Sequence, residues 1–265
     1  MNKTKSLALI ASAGLALFAC LAPRAAHAQE WTRQSFLLPK GGFEITGTPA
    51  RPELMRINIA DGNAFKPVEI PAHFFWGVSD DVMLGVTHEQ GLRLNTGPGP
   101  ARKVYNDVGF GAVVFLAGQR NYEVDLHLGV PFHQLSPDLW VGAQFGILGR
   151  ANVAEHVALV YDPGVYVGFN HRDTGNGDYL NLPIWFYFQA TPVVVPFVGT
   201  GVQGPLDHFG DRFSIPLEGG VLFTVAQGIH IGGMLHFDNV AGREPDFVPH
   251  RFDARTLGFI GQFRF

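Results

Sequence analysis

The sequence predicts an all-β fold: an antiparallel up-and-down β-barrel of about twelve strands behind a short N-terminal export segment. Three observations predict it. Apolar residues recur at every second position through most of the chain, the period of a strand with two unlike faces. Short and long connections alternate along the chain, as tight turns at one rim and loops at the other require. Beyond the export segment no apolar run reaches the ~18 residues of a membrane-spanning helix. At 46% hydrophobic and 16% charged, the chain is too apolar for disorder. Its one cysteine, Cys20, excludes an intramolecular disulfide framework and any cysteine-based zinc site. A net charge of -4 lacks the basic footprint that nucleic acid needs.

The first element is an address. Lys3 and Lys5 form a basic n-region, Leu7 to Ala19 an apolar h-region, and Ala26-His27-Ala28 an A-x-A cleavage site. Residues 1–28 therefore read as a signal peptide and 29–265 as one barrel domain. Cleavage removes Lys3, Lys5 and Arg24 and no acid, moving the net charge from -4 to -7. Leu17-Phe18-Ala19-Cys20 loosely resembles a lipoprotein box, but Phe18 fits it poorly and the apolar run continues past it.

Candidate strands follow in order. The first, 43–59, is interrupted around Pro49 and Pro52. Strands 68–78 and 82–89 flank the turn Ser79-Asp80-Asp81, and 108–118 and 121–131 flank Gly118-Gln119-Arg120. In the latter pair, Tyr122, Val124, Leu126, Leu128 and Val130 alternate with Asn121, Glu123, Asp125, His127 and Gly129. Next come 139–149 and 155–170, the second holding Asp162-Pro163-Gly164 at its middle. That tripeptide could turn a hairpin, but splitting one strand upsets the even count, so 155–170 reads as a single bulged strand. In 179–190, Leu182, Ile184, Phe186 and Phe188 alternate with Asn181, Pro183, Trp185, Tyr187 and Gln189. Strand 193–202 follows Ala190-Thr191-Pro192, and 214–226 meets 228–239 at Ala226-Gln227-Gly228. The last strand, 255–265, alternates to its final residue. Long connections lie at 90–107, 171–178, 203–213 and 240–254. Twelve strands put both termini on the short-turn side; counts of ten and fourteen stay open.

Lipid offers the backbone no hydrogen bonds, so a closed barrel is the β-structure that can span it. With its apolar face carrying much of its 23 Phe, the chain reads as lipid-facing. The A-x-A site, the alternating strands and the last strand Leu257-Gly258-Phe259-Ile260-Gly261-Gln262-Phe263-Arg264-Phe265 together resemble Gram-negative outer-membrane β-barrel proteins. The resemblance implies residence in that outer membrane, contact with its lipid and lipopolysaccharide, and a porin-like activity. It also implies that Phe259, Phe263 and Phe265 are read by the barrel-assembly machinery.

Faces opposite the apolar ones point into the lumen. They carry Glu44, Glu69, Glu123, Asp125, Asp162, Glu218 and Asp238, with Arg56, Arg264, His73, His127, His230 and His236. The candidate pore-lining residues are Glu69, His73, Glu123, Asp125, His127, Glu218, His230, His236 and Asp238. Their acidic excess predicts passage of small polar or cationic solutes. Inner-face Gly129, Gly142, Gly146, Gly220 and Gly232 are expected to leave space for a narrow water path. Against this stands an interior filled by paired charges, since twelve strands lie between side-chain-filled and open barrels. Such a barrel would be structural, or act through its loops.

Neither a metal nor a cofactor is expected. Glu123-x-Asp125-x-His127 and the group His230, His236 and Asp238 each share one strand face, but i and i+2 lie about 6.6–7 Å apart and the two strands are on opposite walls. A barrel hydrolase is the third class. His88 lacks a nearby Ser, and Asp207-His208 with Asp211 reads as a polar turn. No G-x-S-x-G or H-E-x-x-H motif occurs, so no enzyme is expected. Arg93, Arg102, Arg172, Arg212, Arg243, Arg251 and Arg255 sit in or beside long connections, where they either bind lipopolysaccharide phosphates or are simply solvated.

Overall fold

A computed structural model describes residues 30–59, 66–94, 103–243 and 255–265. The expected signal peptide, residues 1–28, and Cys20 lie outside the described residues, as do Arg102 and Arg251. Twelve strand paths close one antiparallel barrel. They are β1 (Phe43–Thr46, resumed at Glu53–Asn58), β2 (Val68–Ile70, resumed at His73–Ser79), β3 (Val82–Thr87, resumed at Leu92–Leu94), β4 (Val108–Gln119), β5 (Tyr122–Gln134) and β6 (Trp140–Ala154). The circuit continues with β7 (Val157–Tyr161, resumed at Gly164–Gly168), β8 (Tyr179–Phe188), β9 (Val194–Pro205), β10 (Leu217–Ala226), β11 (Ile229–Phe237) and β12 (Arg255–Arg264). Each pairs with its sequence neighbour, and β12 returns to β1 through Glu44↔Arg264 and Ile57↔Leu257.

The interruption in β7 is not a hairpin. Tyr161 faces Ile184 on β8 and Gly149 on β6; Gly164 faces Asn181 and Gly146 in the same register. Pro163 donates nothing, yet its carbonyl accepts from Ile147 N at 2.9 Å, so the strand runs on across the break. At the turn before β11, Gly228 adopts φ 72°, a left-handed conformation that costs a residue with a Cβ roughly 1–2 kcal/mol.

The wall has two faces, set by the period of two. On β8, Leu182, Phe186 and Phe188 are exposed on the outside, while Trp185 and Tyr187 are buried inside, as is Gln189 just past its end. On β12, Leu257 and Phe259 are exposed; Thr256, Ile260 and Gln262 are buried. Phe110 (59% exposed) and Phe145 (53%) stand on the same outer surface. Aromatic rings displayed to this extent around a wall are stable against hydrocarbon rather than water.

The interior departs from the expected water path. Phe75, Met83, Val113, Leu148, Val160, Phe197, Leu222 and Ile260 are all buried, and with Trp185 and Tyr187 they form an apolar core inside the barrel. Inner-face glycines serve this packing. A Cβ on Gly142 would meet the Tyr166 ring, and one on Gly220 would meet Phe197 and Met234. The glycines at these positions admit neighbouring groups, so the space expected over them is occupied.

Candidate functional site

Among the described residues, two stretches of chain enter the barrel. The first precedes β1 and was not anticipated as an element. Residues 31–38 fold back from the short-turn rim, beginning with the 3-10 turn Trp31–Arg33, and bury Trp31, Thr32, Phe36, Leu37 and Leu38. Their partners come from widely separated strands. Trp31 donates to Gln262 Oε1 at 3.1 Å and lies 4.1 Å, centroid to centroid, from the Tyr187 ring. Ser35 Oγ (2.6 Å) and the Phe36 amide (3.0 Å) both donate to Glu123 Oε1. Glu123 Oε2 accepts from Arg150 at 3.1 Å. Arg150 also donates to the Gln34 carbonyl and sits 5.6 Å from the Phe36 ring centre. Arg264 donates to Glu44, to Ser35 O (2.5 Å) and to Phe36 O (3.1 Å). His230 Nε2 lies 3.0 Å from the Gln34 amide and its Nδ1 2.9 Å from Thr224 Oγ1. Asp125 is fully buried on the same strand face as Glu123.

The second stretch is the break in β1. Residues 47–52 turn inward around Thr48, whose N donates to Arg51 O at 2.9 Å. Ala50 is fully buried, and its carbonyl accepts the Tyr187 hydroxyl at 2.9 Å from the far wall. Pro49 and Pro52 explain the excursion, because neither can donate to a ladder.

Beyond these stretches, toward the long-loop rim, lies a charged vestibule. A cavity of about 310 Å³ is lined by Arg51, Glu53, Arg56, Glu69, Arg93 and His236 among others, including Asp238. Arg51 pairs with Glu218 (2.9 Å) and Glu53 (3.2 Å). Glu69 takes Arg56 at 2.6 Å and Arg93 at 3.2 Å. His236 bridges Glu218 (2.8 Å) and Asp238 (3.1 Å), and Trp185 Nε1 donates to Glu218. Elsewhere His127 lies 3.3 Å from Asp162, and His73 Nε2 lies 2.8 Å from the His88 carbonyl.

The structure thus divides the nine candidate lining residues. Glu69, Glu218, His236 and Asp238 meet at the vestibule; Glu123 and His230 hold the inserted segment; His127 engages Asp162; His73 lies on the inner face of β2; and Asp125 is sealed beside Glu123. Arg93 is corrected: it lies within β3, opposite Glu69, and faces the cavity rather than lipopolysaccharide. Arg51, Glu53 and Arg150 were missed inside. The two guanidiniums offset part of the expected acidic excess, Arg51 pairing with Glu53 and Arg150 with Glu123. Glu123 and His127 engage Arg150 and Asp162 rather than a common centre. His88 is held by Ala72 O (2.7 Å) and the Tyr105 hydroxyl (2.8 Å), and Asp207 and His208 are exposed, 3.7 Å apart.

At the long-loop rim Arg172 grips Asp178 with two nitrogens, at 2.8 and 2.6 Å, and Asp178 also accepts Gly168 N at 3.1 Å. The guanidinium holds the Asp178 carboxyl below the ordinary carboxylate range. A depressed pKa contributes stability above the unfolded value and loses it as pH falls through the folded one. Asp178→Asn should therefore speed protease cleavage within 169–178 at neutral pH. The unsubstituted loop should reach that rate only below pH ~4.

Closed wall, apolar exterior and charged interior define the class: a membrane-spanning antiparallel β-barrel of porin-like architecture. Among solved structures the chain resembles the NanC porin, with a TM-score of 0.54 at 9% identity, over 79% of this chain and 97% of that one. A second match is the outer-membrane channel DcaP of Acinetobacter baumannii, with a TM-score of 0.37 at 11% identity, over 85% of this chain and 72% of that one. No family model matches the chain, and no curated protein matches it in sequence. At such identities the likeness to NanC is one of fold.

Proposed function

We propose that the protein is a porin-like barrel that passes small polar solutes, with a bias toward cations, and that residues 31–38 control the passage. One observation carries this reading. The inserted segment is held by side chains such as Glu123, Arg150, Gln262 and Arg264, while the barrel ladders close without it, β12 pairing with β1. The segment can leave without breaking the wall. Interior carboxylates still outnumber guanidiniums, with Asp125, Asp162 and Asp238 beyond the Arg-paired set, which supports the cation bias.

Planar-bilayer recording of refolded residues 29–265 in a salt gradient tests it. Discrete steps are expected, with a cation-biased reversal potential that moves toward zero in Asp238→Asn, whose carboxylate stands half-exposed on the vestibule. A reversal potential of the opposite sign, or one indifferent to the substitution, would defeat the selectivity reading. The buried apolar interior favours a second reading, a non-conducting barrel that acts through its surface. A folded barrel that stays silent with and without the inserted segment would establish that reading instead.

A further inference from the structure

We infer that the lumen lining around residues 31–38 is a binding site for short peptides, and that the resident segment is its built-in ligand. The inference rests on the proposed reading in one respect, that this segment can leave the wall.

The contacts have the character of peptide recognition. Side chains of the wall meet the segment's main chain at Thr32, Gln34, Ser35 and Phe36, and among the described residues no ladder of the wall does. The Thr32 amide donates to Gln189 Oε1 at 3.4 Å and the Phe36 amide to Glu123 Oε1 at 3.0 Å. Arg150 donates to the Gln34 carbonyl, and Arg264 to the carbonyls of Ser35 (2.5 Å) and Phe36 (3.1 Å). Every peptide carries such groups, so this part of the grip is indifferent to side chains. All but the Gln189 bond have an ionised partner, and bonds of that kind are about twice as strong as neutral ones. Two rings add selectivity. Trp31 lies 4.1 Å from the Tyr187 ring and gives Nε1 to Gln262 at 3.1 Å, while the Arg150 guanidinium stands 5.6 Å from the Phe36 ring centre. The class of ligand is therefore a short peptide with aromatic side chains at the spacing of residues 31 and 36.

The site keeps its shape without the segment. Glu123 retains Arg150 at 3.1 Å, Gln262 retains Glu44 at 3.0 Å, and Arg264 retains Glu44. These side chains stand on strands whose ladders close independently of residues 31–38. Donors and acceptors fixed in advance cost a ligand little ordering, so a peptide from solution meets the same groups as the resident. What excludes it is competition. A short tether presents its own segment at an effective concentration of about millimolar, so weakening the resident should admit the free peptide.

A synthetic peptide of residues 30–38, fluorescent at its C-terminus, would be titrated by anisotropy against refolded residues 29–265 and against Trp31→Ala, whose resident is weakened. Heat-modifiable gel mobility checks that both are folded. The peptide is expected to bind saturably, about tenfold more tightly to Trp31→Ala than to the unsubstituted chain. Two control peptides read the grip on the main chain. One is N-methylated at the residue-36 amide, which removes the donor to Glu123; the other has its residue order reversed. Both should bind roughly tenfold more weakly, whereas uptake into detergent micelles would be indifferent to order. Should Trp31→Ala not fold, Ser35→Ala, which gives up the 2.6 Å bond to Glu123, takes its place. Absence of saturable binding to the weakened chain, equal binding of either control peptide, or an affinity that does not rise when the resident is weakened would each overturn the inference. Binding requires no passage, so a chain that takes the peptide and never conducts defeats the porin-like reading alone. A conducting chain that does not prefer the peptide to its controls defeats the peptide site alone.

Discussion

Starting the refolded chain at residue 39 instead of 29 is expected to raise single-channel conductance several-fold while leaving the barrel folded. The segment places Trp31, Phe36, Leu37 and Leu38 within the wall and makes no ladder pairing there. Its loss uncovers Glu123, Arg150, Gln262 and Arg264, which keep their bonds to one another or to Glu44: Glu123 to Arg150 at 3.1 Å, Gln262 to Glu44 at 3.0 Å. Water then replaces main-chain partners at those polar groups, and losing the buried Trp31, Phe36, Leu37 and Leu38 lowers stability without breaking a ladder of the wall. Conductance in the shortened chain equal to that of the intact one, both being folded, would show that the segment does not limit passage. A milder change, Ser35→Ala, removes the 2.6 Å bond to Glu123 and should raise the frequency of brief openings rather than their size.

The second large effect is on stability. Glu44 is wholly buried and is held by Arg264 and by Gln262 Nε2 at 3.0 Å. Arg264→Met strips a buried carboxylate of its counter-charge, which costs about 3–5 kcal/mol when one partner of such a pair is removed. It also frees Ser35 O and Phe36 O from the guanidinium. Glu44→Gln should cost less, because Arg264 retains those two carbonyls. The double variant should fall well short of the summed single losses, as contacting residues are coupled. Urea unfolding in detergent, followed by gel mobility and tryptophan fluorescence, measures all three. Strict additivity would show that the two side chains do not act as a pair.

The wall was legible from short-range alternation. Phe186 and Tyr187 sit side by side in the sequence and on opposite faces of β8, and no distant information is needed to separate them. The twelve-strand count came from the alternation of short and long connections, and even Asp162-Pro163 resolved correctly because the strands either side demanded an even number. What fills the lumen was not legible. Arg264 and Glu44 are 220 residues apart, and Ser35 meets Glu123 across 88; nothing local in the sequence encodes either contact. Residues 31–38 have no period because their partners lie on several strands with different orientations. Arg93 was read as part of a long loop because three residues, Leu92–Leu94, are too few to display alternation. Pairing across the lumen also cancels charge that a one-strand reading counts as excess.

The barrel's seam has its own logic. Near the short-turn rim β12 meets β1 through only two paired positions, Glu44↔Arg264 and Ile45↔Phe263, and then through Phe43 and Phe265. These are the first and last strands of the circuit, so the wall closes here only when both are in place. Residues 35 and 36 grip Arg264 from inside at that junction. The inserted segment is therefore a clasp across the seam, tying the strand that ends the circuit to the stretch that precedes its first strand. A tag placed immediately ahead of residue 30 should slow closure of the refolding barrel more than the same tag placed in the loop at 171–178, as followed by heat-modifiable gel mobility.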